Sequence, residues 1–140
     1  MFRGSFVAPI LALAFAGGLA GVAGERLLAQ DAGKTVADGV YTEAQADRGA
    51  ASYATACSGC HRADLGGGQG PALKEQRFTR DFAEKNLDTL YMKILNTMPR
   101  NAPGSLGDSV SLDIVAHILR ENGFPAGAAE IGRASCRERV

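Results

Sequence analysis

The chain has 140 residues, 46% of them hydrophobic and 21% charged, with 15 basic side chains balanced by 15 acidic ones. This is the composition of one ordinary globular domain, and it excludes a disordered polyelectrolyte. A balanced charge with no basic stripe also excludes an electrostatic nucleic-acid binder.

The first residues, Met1-Phe2-Arg3 followed by GSFVAPILALAFAGGLAGVAG, put an early positive charge before an apolar stretch rich in Ala, Leu and Gly. This layout predicts a secretory signal peptide over residues 1–29, cut after Ala29 in preference to Ala23, and hence a periplasmic protein. The competing reading is an uncleaved membrane anchor, because Phe6 to Gly24 approaches the roughly 20 residues that span a bilayer. Pro9, Gly17, Gly18 and Gly21 interrupt the stretch and favour the export signal. Residues 30–41, QDAGKTVADGVY, are small and polar and predict a flexible leader.

A domain is expected over 42–129. Thr42 with Gln45 three residues on forms a capping-box pattern, and Ala46, Gly49, Ala50 and Tyr53 share one face of the helix that follows. That face is made of small residues and invites close approach of another helix at Gly49. The helix runs into Cys57. RADLGGGQGPAL, with its glycines and Pro71, predicts a loop. KEQRFTRDFAEKN predicts at most a short helical turn, anchored by Phe78 and Phe82 at i, i+4. LDTLYMKILNTM is a helix with Asp88 as expected N-cap and Leu87, Leu90, Tyr91, Ile94, Leu95 and Met98 at helical intervals, ending at Pro99. After the loop MPRNAPGSLG, a last helix carries Leu112, Ile114, Val115, Ile118 and Leu119 and stops at Gly123. No segment alternates with a period of two, so the fold class is all-α, with three main helices and glycine-rich loops. Residues 130–140, EIGRASCRERV, lack periodicity and match one reading frame of a common sequencing-library adapter, so they and Cys136 are set apart from the fold.

The chemistry concentrates in CSGCH, residues 57–61, which holds two of three cysteines and one of two histidines. C-x-x-C-H is the attachment signature of c-type haem: two thiols on one turn add across the two vinyl groups, and the adjacent histidine reaches the iron. Thioethers at Cys57 and Cys60 would also consume two thiols that an oxidising compartment would otherwise join. A His61-ligated iron has one further position, and Met98, held at a helix end by Pro99, is the preferred filler; a thioether opposite imidazole raises the potential, as in electron carriers. Met92 is a poorer candidate, and His117 is the rival that would give a bis-histidine site. The second nitrogen of a metal-bound histidine needs an oxygen, and the Pro71 carbonyl is the natural acceptor.

Capped helix, C-x-x-C-H, Gly70-Pro71 loop, helix ending in Met98-Pro99 and a closing helix resemble the class I mono-haem cytochromes c over Tyr41 to Pro125. The resemblance implies one covalent haem c on Cys57 and Cys60, His61 proximal, Met98 distal and Pro71 supporting His61. It also implies that the first and last helices cross with Gly49 and Tyr53 against the Ile118 face, Ala54 and Leu119 nearby. The stretch NAPGSLGD to SLDIVAHILRENGFP is similar to small periplasmic cytochromes that accompany quinoprotein dehydrogenases. Two departures stand out: His117 where an aromatic is more usual, and Ser109-Val110-Ser111 in place of an acidic first turn.

The function expected is a monomeric periplasmic one-electron carrier, not an enzyme, that shuttles electrons from a dehydrogenase to an acceptor such as a terminal oxidase. Its partners are redox proteins, and it meets a membrane only if the N-terminal segment stays uncleaved. The alternative is a haem peroxidase or gas sensor with a displaceable Met98, which Arg100 alone in that loop could serve. A zinc site of Cys57, Cys60, His61 and His117 suffers from three near-consecutive ligands, where four must sit tetrahedrally. A thioredoxin-like site lacks its βαβ setting.

Overall fold

The computed structural model describes residues 35–134 and Cys136. The expected signal peptide, the first residues of the leader and the last residues of the tail lie outside these. The described residues form helices α1 (Glu43–Ala56), α2 (Ser58–His61), α3 (Glu75–Phe82), α4 (Leu87–Thr97) and α5 (Gly107–Glu121), with a 3-10 turn at Val36–Asp38. They contain no β-strand, so the fold is all-α as its periodicity predicts. None of these helices is long and apolar enough to cross a membrane.

The α1 N-terminus is capped by Thr42, whose side chain accepts from the Gln45 N–H at 3.2 Å. The reciprocal half of the box is not made. Gln45 instead turns inward, donating to the Ile131 carbonyl at 3.1 Å and accepting from the Ile131 N–H at 2.8 Å. A buried carboxamide must satisfy both its donor and its acceptor, and one backbone residue does both. The segment beyond Ala129, set apart on sequence grounds, therefore touches the core through a buried Ile131. The leader also differs from its expectation. Val36, Val40 and Tyr41 are buried, and the Tyr41 hydroxyl donates to the Phe124 carbonyl at 2.6 Å. Three apolar side chains within six residues outweigh the flexibility that the neighbouring glycines suggest.

Helix α5 is the centre of the domain, every residue from Ser111 to Leu119 being buried. It crosses α1 at Gly49, where a Cβ would fall 1.8 Å from the Asp113 carbonyl oxygen and 3.0 Å from His117 Cβ. The α5 atoms nearest Gly49 belong to Asp113 and His117, and Ala54 is exposed. Tyr53 packs its ring on His117 with centroids 5.1 Å apart. Arg48 straddles the crossing with two 3.0 Å bonds to the Asp113 carboxylate, and Arg120 reaches back to Asp47 at 2.6 Å.

Helix α5 begins at Gly107, so Asp108 stands in its first turn. The acidic first turn expected in place of Ser109-Val110-Ser111 is present, supplied by Asp108 immediately before Ser109. At the other end Gly123 (φ 79°) donates to the Arg120 carbonyl at 2.9 Å and Phe124 to that of Leu119 at 3.2 Å, the Schellman stop that Gly123 predicts. The α4 N-cap is Asn86, and Asp88 lies inside the first turn, where its charge faces the positive helix end. Helix α3 extends over eight residues, more than the single turn expected, because Phe78 and Phe82 are both buried and pack at a tilt with centroids 5.3 Å apart.

Candidate functional site

Helix α1 does not stop cleanly before the cysteines. The Cys57 N–H still donates to the Tyr53 carbonyl at 2.9 Å, and the Cys57 carbonyl then accepts from His61 N–H at 2.9 Å and Cys60 N–H at 3.1 Å, closing the turn of α2. One helical turn therefore presents both thiols and the imidazole together. Cys57 is half-buried, Cys60 exposed and His61 buried, and the two thiols are not joined. Burial first, and the neighbouring Cys60 second, push the Cys57 thiol up to about 11, so it is neutral at pH 7. An uncharged thioether suits that position better than a thiolate does.

This turn forms part of the wall of a cavity of about 630 Å³, within the range of small-molecule and cofactor sites. Cys57, Cys60, His61, Pro71 and Met98 all line it, and Phe82, Leu90, Ile94, Ile114 and Ile118 give it apolar walls. Met98 follows directly on α4, its N–H donating to the Ile94 carbonyl at 3.1 Å. His117 is not on the wall. It lies at the α1–α5 crossing with its Nδ1 buried and unbonded, Glu121 3.8 Å away, and burial holding it below the usual imidazole range.

The His61 ring is fixed from the loop side. Its Nδ1 lies 2.7 Å from the Pro71 carbonyl oxygen, which can only accept, so the N–H is on Nδ1 and Nε2 is the nitrogen with a lone pair to give. Gly70 makes room for the ring, since a Cβ there would come within 2.6 Å of His61 Cε1. The loop is tied back to the motif by Gly70 N–H to the Cys60 carbonyl at 2.9 Å and Gly67 N–H to the His61 carbonyl at 3.0 Å. Tyr53, also on the cavity wall, donates to the Arg62 carbonyl at 2.9 Å, just past His61.

The residues fit a covalently held porphyrin: two thiols and an imidazole with its outer nitrogen engaged on one turn, a thioether on the same cavity and apolar walls between them. They fit zinc poorly. Among the described residues no three His, Cys, Asp or Glu side chains converge as a metal cage, and His117, the fourth ligand that reading needs, lies elsewhere.

Comparison with protein families points the same way: residues 44–118 match the family described as cytochrome C oxidase, cbb3-type, subunit III. The chain belongs to this family of c-type cytochrome domains. No curated protein and no solved structure gives a significant match. The family makes the chain a haem-based electron carrier, a protein of electron transfer rather than catalysis, and haem c is the cofactor it implies. Cytochrome c domains are typically exported or membrane-associated.

Two roles on the cavity wall were not read from the sequence: the room that Gly70 leaves for the His61 ring, and the place of Lys93. Gly70 has a weak signal there, as the residue before Pro71. Lys93, on α4, has none, because its place on the wall depends on how α4 packs.

Proposed function

We propose that this cytochrome domain is a periplasmic one-electron carrier with a single haem c. Cys57 and Cys60 would hold it as thioethers, His61 Nε2 and Met98 Sδ would be the axial ligands, and the Pro71 carbonyl would orient His61. The observation that carries the reading is the His61–Pro71 contact at 2.7 Å inside a cavity that Met98 also lines. When bound, haem c supplies a one-electron iron couple.

The chain's own residues do the rest. The Pro71 carbonyl accepts a hydrogen bond from Nδ1–H and so makes His61 a better donor through Nε2. Leu90, Ile94, Ile114 and Ile118 keep water from the cavity, which favours the less charged, reduced state. With His61 and Met98 both committed to the metal, no position would remain open to a substrate, which supports a carrier over a peroxidase or gas sensor. The exposed Cys60 puts one edge of the site at the surface, where a redox partner can dock over the small areas that such encounters bury. We take the acceptor to be a terminal oxidase, in keeping with the family, and the donor to be a dehydrogenase of the quinoprotein kind. We also take residues 1–29 as the export signal, 42–129 as the natural domain and 130–140 as adapter-derived.

The test is maturation in a host competent for haem c. The purified protein should carry one porphyrin by mass and stain for haem on a denaturing gel. In the oxidised state it should show the weak far-red band of sulfur-to-iron charge transfer. Met98→Ala should abolish that band, lower the midpoint potential and admit carbon monoxide. Bare polypeptide sinks the proposal, and an unchanged Met98→Ala spectrum transfers the ligand role to another residue.

A further inference from the structure

Three charged side chains stand on the cavity wall: Asp81, Lys93 and Arg100. Asp81 is already neutralised, shared between Arg77 at 2.7 Å and Arg80 at 3.4 Å. Lys93 and Arg100 are not. Every other arginine among the described residues meets a carboxylate: Arg48 has Asp113, Arg62 has Asp64, Arg77 and Arg80 have Asp81, Arg120 has Asp47, and Arg133 has Asp108. Arg100 alone has none, and it lies two residues past Met98, while Lys93 lies five residues before it. Lys93 and Arg100 thus stand on the cavity wall with no ion-pair partner among the described residues, beside apolar Leu90, Ile94 and Pro99.

We infer that Lys93 and Arg100 are the carboxylate-binding end of the cavity, and that their ligands are the two propionate groups of haem c. The inference rests on the haem reading above and deepens it. Haem c brings two ionised carboxylates to a largely apolar cavity, and a carboxylate that leaves water without a partner is costly. Two uncompensated cations at the wall match those charges in number and are opposite to them in sign. Arg100 offers a planar fork suited to a carboxylate, and Lys93 a point charge on a flexible stem. Asp81 does not oppose them, since its charge is taken up by Arg77 and Arg80.

A carboxyl beside a cation has its pKa lowered by about 1–3 units, so each cation holds its propionate ionised. The experiment compares Lys93→Gln, Arg100→Gln and the double variant with Lys93→Arg, Arg100→Lys and a control, Lys74→Gln, which lies off this wall. All are matured with haem c, and attachment is checked by mass. The readouts are the midpoint potential as a function of pH and the carboxylate bands in redox-difference infrared spectra. Each Gln variant should raise the pH at which a propionate protonates by roughly one unit or more, the double variant affecting both groups. Lys93→Arg, Arg100→Lys and the control should track the parent. A potential that falls equally at every pH, with carboxylate bands unmoved, would overturn the inference and make the cations a distant field. A change confined to the salt dependence of electron exchange with an acidic partner protein would overturn it in favour of docking. Absence of covalent haem in the parent strikes the electron-carrier reading itself and is seen before any variant is compared.

Discussion

The two sides of this domain are built on opposite principles. At the α1–α5 crossing the chain packs against itself: Gly49 abuts the Asp113 carbonyl, Arg48 closes over the contact, and the Tyr53 ring meets His117 at a tilt, leaving only the His117 Nδ1 without a hydrogen-bond partner. On the cavity side the wall is assembled from α1, α2, α3, α4, α5 and two loops, and it gathers the functional groups on one cavity: the His61 imidazole, the Met98 thioether and two cations without ion-pair partners. A protein-only core completes itself, whereas a cofactor core is complementary to something the chain does not encode. One side should therefore respond to substitution through stability and the other through the properties of the bound group.

The sharpest way to break this contrast is Gly49→Ala. With its Cβ set 1.8 Å from a backbone oxygen, helices α1 and α5 must separate, at a cost of roughly 3 kcal/mol or more. Denaturant unfolding measures it, and a loss below about 1 kcal/mol would show that the crossing has slack. Gly70→Ala is the counterpart on the cavity side. It should displace the His61 ring from Pro71, costing about 1–2 kcal/mol. Its distinctive mark is a raised midpoint potential, because an imidazole without its acceptor is a weaker donor to the metal. Unfolding without a change in potential would make Gly70 a purely structural residue.

His117, which belongs to the crossing although Tyr53 joins it to the cavity wall, gives the smallest effect. Burial, partly opposed by Glu121, lowers its pKa below the ordinary 6.5. The unfolded chain then binds more protons than the folded one below that value, so this histidine erodes stability as pH falls through 6.5, by at most about 1.4 kcal/mol per pH unit. His117→Phe keeps an aromatic ring on Tyr53 and should remove that acid sensitivity. Urea midpoints of the two proteins at about pH 7.5 and about pH 5 should diverge only at the lower value; parallel curves would mean that His117 titrates alike in both states.

The features that could be read along the chain are those whose cause is local. The Thr42 cap, the Gly123 stop and the C-x-x-C-H turn each depend on residues within one helical turn, and the Gly49 face is visible as a stripe of small side chains. The Pro71 acceptor was also foreseeable, because a ligating histidine needs an oxygen and the loop offers few carbonyls near Gly70. What escaped is set by distant partners. Gln45 leaves the capping box for Ile131, 86 residues away; Val36 and Val40 find a core that a short polar-looking leader does not advertise; α3 gains a second turn from the burial of Phe82. Lys93 reads as one solvated lysine among others until α4 is docked.

Cys57 still takes part in the hydrogen bonding of α1, so the helix acts as a lever whose fulcrum is Gly49. Eight residues at 1.5 Å each put Cys57, the proposed attachment cysteine, about 12 Å from that pivot. A tilt of about 5° there would swing the Cys57–His61 turn by about 1 Å, enough to disturb the metal–ligand geometry proposed for His61, which tolerates only a few tenths of an ångström. A bare α-carbon where the helices meet thus removes the play from an arm that, in the proposed reading, delivers sulfur and nitrogen to fixed points.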